Sequence, residues 1–200
     1  MDLQVPSAQQ LDALREVANI GGGHAATAFS KLVGGRTVKI EVPRVSFEVS
    51  ELAELVDGDS QLVAISFQIL EELSGRMLLL LTEPDAHALC QLLLNDAHSG
   101  ELNEAERSAL CEAGNIVASA CLAAVGTLTG LKILPSAPSL CYGHETEVLR
   151  GAAPELAESS SPMVVMQIHF FTAKSPYVRG QLILMPERRS LATLLSKLGL

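Results

Sequence analysis

What this chain has little of removes several classes of function. Aromatic side chains make up 4% of its 200 residues and tryptophan is absent, so a stacking surface for bases or sugars is not expected. Basic residues are outnumbered, 14 against 23 acidic ones, for a formal charge of −9 and a pI near 5.0, and they form no cluster. Nothing is available to neutralise phosphates along a backbone, and nucleic acid is not expected as a partner. The acidic residues form no run either, and read as a solvated surface. Cys90, Cys111, Cys121 and Cys141 make no Cys-x-x-Cys pair. Met1-Asp2-Leu3-Gln4 lacks the positive segment and apolar core of a secretion signal. Those cysteines therefore read as reduced, mostly buried thiols of a cytoplasmic protein. The longest uninterrupted aliphatic run, Met77 to Leu81, is far too short for a bilayer, so membrane insertion is not expected.

Familiar catalytic signatures are missing as well. His24, His87, His98, His144 and His169 show no His-Glu-x-x-His pattern and no cysteine at zinc-ligand spacing, and read as surface or core histidines. His24 stands apart, because it lies about one turn beyond Asn19 on a helical pattern. Gly21-Gly22-Gly23 lacks the order of a nucleotide-binding loop and no lysine follows it. Ser30, Ser108 and Ser119 have no histidine–acid arrangement that spacing supports, and read as helix-face hydroxyls.

What is present is a repeat. Glu16-Val-Ala-Asn19-Ile recurs as Glu112-Ala-Gly-Asn115-Ile, each inside a long amphipathic pattern. Ser7 precedes Glu16 by the interval that separates Asn103 from Glu112, and each is an N-cap candidate with Gln10 or Glu106 completing a capping box. In the first helix Leu11, Leu14, Val17 and Ile20, then Ala28 and Leu32, mark the apolar face, while Glu16 and Asn19 project side by side. The Gly21–Gly23 run there means either a kink or the close approach of another backbone, since each glycine costs roughly 1 kcal/mol against alanine inside a helix.

Gly34-Gly35 closes that helix, and Val38, Ile40 and Val42 alternate as a strand ending at Pro43. Phe47 to Val56 reads as one or two helical turns and Asp57 to Ser60 as a turn. Val63, Ile65, Phe67 and Ile69 then occupy one face of a strand that pairs with Met77–Leu81 as an antiparallel hairpin. Glu83-Pro84-Asp85 opens a helix through Leu94. The second half follows the same order. A long helix runs from Asn103 to about Leu128, and a strand begins at Lys132–Leu134. Pro135 and Pro138 make the next stretch irregular, and Glu155 to Pro162 reads as a loop. A hairpin spans Met163–Phe171 and Val178–Met185, and Pro186 to Leu198 is the closing helix. The expectation is one α+β domain over 1–200, made of two repeats at about 7–96 and 103–200. A pseudo-twofold duplication then gives a shared antiparallel sheet that carries the two long helices.

A single Glu-x-x-Asn is weak, and reads as an exposed polar stripe. Two copies at matched depth favour chemistry. A carboxamide donates and accepts hydrogen bonds at once, which suits it to hold a water for in-line attack. Phosphoryl transfer is driven mostly by such positioning and by electrostatics. The carboxylate beside it repels a free phosphate, so the pair better suits a phosphorylated protein that brings its own cations.

At these residues the chain resembles the CheC family of bacterial chemotaxis phosphatases, which includes CheX proteins and a domain of FliY. The match lies in Leu14-Arg-Glu16-Val-Ala-Asn19-Ile-Gly-Gly-Gly-His-Ala-Ala-Thr-Ala, in Glu106-Arg-Ser108-Ala-Leu-Cys-Glu112-Ala-Gly-Asn115-Ile, and in the duplicated hairpins. The resemblance implies hydrolysis of the aspartyl-phosphate of a CheY-type response regulator. Asn19 and Asn115 would orient the attacking water, and Glu16 and Glu112 would pair with the lysine that contacts the phosphoryl group. It implies no cofactor of the protein's own, the Mg²⁺ belonging to the regulator. Some relatives also bind the receptor deamidase CheD, which adds a second candidate partner. His24 and the Gly21–Gly23 run depart from the family pattern and set the first site apart from the second. The rival reading is a non-catalytic adaptor that binds the regulator or the deamidase. The flagellar-switch variant is disfavoured, because the second repeat ends at Leu200 without an appended domain.

Overall fold

A computed structural model describes residues 6–41, 44–46, 61–95, 100–152 and 164–200. Helix α1 (Ala8–Leu32) and helix α3 (Glu104–Thr129) begin the same way. Ser7 accepts from the Gln10 N–H and Asn103 from the Glu106 N–H, and each third-position side chain returns a bond to the cap's own N–H. Both capping boxes satisfy amide donors that a helix start leaves unpaired. Gly34 and Gly35 after α1, and Gly130 after α3, take positive φ, the left-handed turn that ends a helix.

The strands are β1 (Val38–Ile40), β2 (Arg44–Ser46), β3 (Gln61–Glu71), β4 (Gly75–Thr82), β5 (Ile133–Pro135), β6 (Ser139–His144), β7 (Val165–Thr172) and β8 (Arg179–Pro186). Together they form one antiparallel sheet ordered β1-β7-β8-β4-β3-β5, with β2 also on β7 and β6 also on β3. The order reads alike from either edge. Its centre is the β4–β8 pair, where Leu78 faces Ile183, and the hairpins β3–β4 and β7–β8 flank it. The pairing is crossed: β1 and β2 lie on β7, from the far part of the chain, and β5 and β6 lie on β3.

One sheet face carries Val63, Ile65, Phe67, Met77, Leu79, Ile168 and Leu182 into the main core beneath α1 and α3. The expected alternation along β3 accounts for this face. It does not account for the other face of the same strand, where Leu62 and Ala64 are also buried, with Leu78, Leu80 and Ile183. Helix α4 (Glu145–Ala152) covers them with Val148 and Ala152, residues four apart on one side of a helix. This corrects the expectation of an irregular stretch. Pro135 closes β5 and Pro138 immediately precedes β6, so the prolines sit at strand ends, where no ladder donor is needed, and leave β6 free to pair with β3. Strand β2 was likewise not foreseen. The expectations for Phe47–Val56, Asp57–Ser60 and Glu155–Pro162 lie outside the described residues.

Helix α2 (Glu83–Leu94) starts as anticipated, with Pro84 in its first turn and Thr82 capping the Asp85 N–H. Asp85 also accepts from the Arg179 N–H at 2.8 Å, tying the start of α2 to β8. The closing helix α5 spans Arg188–Lys197. Helix α3 is long and apolar enough, by length and composition, to cross a bilayer. It serves here as a core helix, with Leu110, Ala113, Val117, Cys121, Leu122 and Val125 buried.

Candidate functional site

The site begins with how closely α1 and α3 approach. Helix α1 is continuous from Ala8 to Leu32, so the three glycines make no break, and the close-approach reading is the one that holds. A Cβ on Gly21 would fall 2.8 Å from Cys121 Sγ and 3.3 Å from Val125 Cγ2 of α3. On Gly22 it would fall 2.8 Å from Ile168 Cγ2 of the sheet. Gly23 faces open space. The run thus lets α1 settle against the other helix and the sheet at once, and that burial offsets a helix-propensity cost of roughly 1 kcal/mol per glycine. Gly21 lies beside Cys121 and Val125 while Ala25 shares a small apolar recess with Val117, so the two helices run antiparallel.

The polar pairs follow from that packing. In α1 the residues Leu14, Val17, Ala18 and Gly21 are buried, which turns Glu16 and Asn19 to solvent. In α3 the residues Leu110, Ala113, Gly114 and Val117 are buried, leaving Glu112 exposed and Asn115 half-buried. Each helix brings its own Glu and Asn together on one side, three residues apart. The two pairs are not brought together, because in an antiparallel crossing they fall toward opposite ends. Among the described residues none of these four side chains has a hydrogen bond or ion pair, so their donors and acceptors face outward unused. Also among the described residues, no three His, Cys, Asp or Glu side chains lie close enough to hold a metal ion.

A shallow groove of about 420 Å³ runs between the helices beside the second pair. His24, Thr27, Ala28 and Lys31 line it from α1, Ile116 and Ala120 from α3. His24 had drawn notice in the sequence, whereas Lys31 had not. No local pattern marks Lys31, since its relation to Ile116 exists only once the helices are paired.

Burial also sets thiol chemistry at the crossing. The Cys121 thiol, enclosed between the helices, is pushed up to about 12 by burial. Cys90 is pushed up to about 12 by burial and secondarily by the Glu106 charge. Thiolate is the reactive form, so iodoacetamide at pH 8 is expected to leave Cys90 and Cys121 unmodified in the native protein and to label both once denaturant is added. Native labelling of Cys121, read by peptide mass spectrometry, would show that the helices are not packed this way.

Comparison with known proteins places this architecture. The family model described as CheC-like matches residues 10–47, the stretch containing Glu16 and Asn19. The CheY-P phosphatase CheC of Bacillus subtilis (strain 168) is 30% identical over 200 aligned residues, covering 96% of this chain and 94% of that protein. The crystal structure of Thermotoga maritima FliY superposes with a TM-score of 0.76 at 18% identity, covering 97% of this chain and 98% of that one. A chain of the CheX–CheY–BeF3–Mg²⁺ complex from Borrelia burgdorferi gives 0.58 at 12% identity, covering 88% and 98%. With that identity to the Bacillus protein sustained over nearly the full length of both, the chain belongs to the CheC-like family.

Proposed function

We propose that this protein is a cytoplasmic phosphatase for the aspartyl-phosphate of a CheY-type response regulator, with one site in each of two repeats at about 7–96 and 103–200. The observation that carries the reading is the matched pair of unpartnered Glu/Asn side chains, Glu16 with Asn19 and Glu112 with Asn115, turned outward from two rigid, capped helices. Asn19 or Asn115, entering the regulator's phosphorylation site, holds a water through its carbonyl and amide in line with the phosphorus. Glu16 or Glu112 accepts from the lysine that contacts the phosphoryl group, keeping the carboxylate away from the phosphate oxygens. The metal that neutralises the phosphate is the regulator's Mg²⁺. The chain supplies rigidity, because a side chain on a packed helix loses little further freedom on binding. The name of the Bacillus relative and the composition of the Borrelia complex support this choice of substrate.

The same faces would also serve an adaptor that binds the regulator, or the deamidase CheD, without turnover. Catalysis is separable from sequestration by amount. Phosphorylated CheY mixed with a few hundredths of an equivalent of this protein is expected to lose all its phosphate several times faster than alone. Protection of only a stoichiometric fraction, with no faster decay, would replace the phosphatase by the adaptor.

A further inference from the structure

We propose that Lys31 is a substrate-binding residue of the Glu112/Asn115 site and of that site alone, so that the two sites differ in affinity. The proposal rests on the phosphatase reading for its substrate. On α3, Glu112, Ile116 and Ala120 recur every four residues and so share one stripe. On α1, His24, Thr27, Ala28 and Lys31 form the facing stripe. The helices run antiparallel, so His24 lies toward Ala120 and Lys31 toward the Glu112 end, at the mouth of the groove beside Asn115. Lys31 is exposed, and among the described residues it makes no ion pair.

The first site has no such neighbour. Carried across by the spacing that relates Glu16 to Glu112, His24, Thr27, Ala28 and Lys31 correspond to Ala120, Ala123, Ala124 and Thr127. Thus Glu16 and Asn19 are bordered by small neutral residues, and Glu112 and Asn115 by a cation. The expected substrate surface is an aspartyl-phosphate among the carboxylates that hold its metal, and is strongly anionic. A chain of charge −9 repels such a surface, and a lysine at the rim of one site offsets that repulsion locally, acting on encounter and on its salt dependence.

Lys31 also stands in the last turn of α1, where a cation interacts favourably with the helix dipole. That role would affect stability alone. The test therefore uses chains with one site disabled, by Glu16→Ala with Asn19→Ala or by Glu112→Ala with Asn115→Ala. In the first, which keeps the second site, Lys31→Glu is expected to raise KM for phosphorylated CheY about 5-fold or more, with kcat little changed and the difference shrinking in high salt. Lys31→Arg should keep KM within about 2-fold, since the charge persists. In the chain keeping only the first site, Lys31→Glu should leave KM unchanged. Equal effects in both chains, or none in either, overturn the proposal. If neither chain hydrolyses, the phosphatase reading has failed. Titration with CheY carrying beryllofluoride in place of the phosphoryl group then decides on Lys31: weaker binding only in the chain keeping Glu112 and Asn115 upholds its role, and unchanged affinity removes it.

Discussion

Replacing both Asn19 and Asn115 by alanine is expected to return phosphorylated CheY to its unassisted decay, a loss of about 100-fold or more in the accelerated rate. The thermal midpoint should scarcely move. Neither side chain holds a hydrogen bond among the described residues, so no buried partner is stranded by its removal. Alanine is also the better helix former, and exposed substitutions of this kind stay within about 0.5 kcal/mol. A large loss of rate on an unaltered fold is what separates a water-positioning role from a structural one. Each single substitution leaves the other site working, so Asn19→Ala and Asn115→Ala alone should retain partial activity. Asn115→Asp in the Asn19→Ala chain should be as inactive as alanine, because it places a second carboxylate against the phosphoryl oxygens. Full turnover by the double variant would remove both asparagines from the chemistry.

Phe29→Ala is expected to destabilise the protein by about 3–5 kcal/mol, a large part of the 5–15 kcal/mol that separates typical folded and unfolded chains. Phe29 is 1% exposed. Its ring meets that of Phe170 at 4.9 Å between centroids, inclined by 57°, an arrangement between edge and face that adds to burial. Around it stand Gly22, Ala25, Ile40, Val117 and Leu182. With glycine and alanine on its own helix, little side chain is at hand to fill the space a lost ring leaves, so the site collapses poorly and the cavity persists. Thermal unfolding should shift down by about 10 °C, as expected for a domain of this size. Both sites should fade together as the midpoint is approached, because α1 is held to the sheet here. A loss below about 1 kcal/mol would mean that the helix and sheet meet elsewhere.

What could be read from the chain depended on how local each cause was. Both capping boxes lie within four residues, and both hairpins declare themselves by alternation, so helix starts, strand pairing and the outward Glu/Asn pairs were all visible in advance. The glycine run was not decidable: whether Gly21 meets empty space or Cys121 is a property of the other helix. Strand β6 escaped notice because its pairing with β3 is its main support and prolines stand before it. Helix α3 escaped a search for uninterrupted apolar runs because Glu112 and Asn115 punctuate it, although its composition as a whole is that of a core helix. Lys31 carries no signature at all. Its meaning comes from the side of a groove on which it stands.

The crossed strands carry a consequence for the chain's ancestry and assembly. The part ending near Asn95 holds β1 and β2 but lacks β7, on which they lie, and the part beginning near Leu102 holds β5 and β6 but lacks β3. Neither could close its own sheet. A gene encoding one half would yield a chain obliged to trade its first strands with a second copy, and the intertwined dimer so formed would have this same outline, with a true twofold axis between its central strands. Joining two such genes end to end turns an association that depends on concentration into one that dilution cannot reverse. It also frees each copy to diverge, one gaining a lysine where the other keeps a threonine.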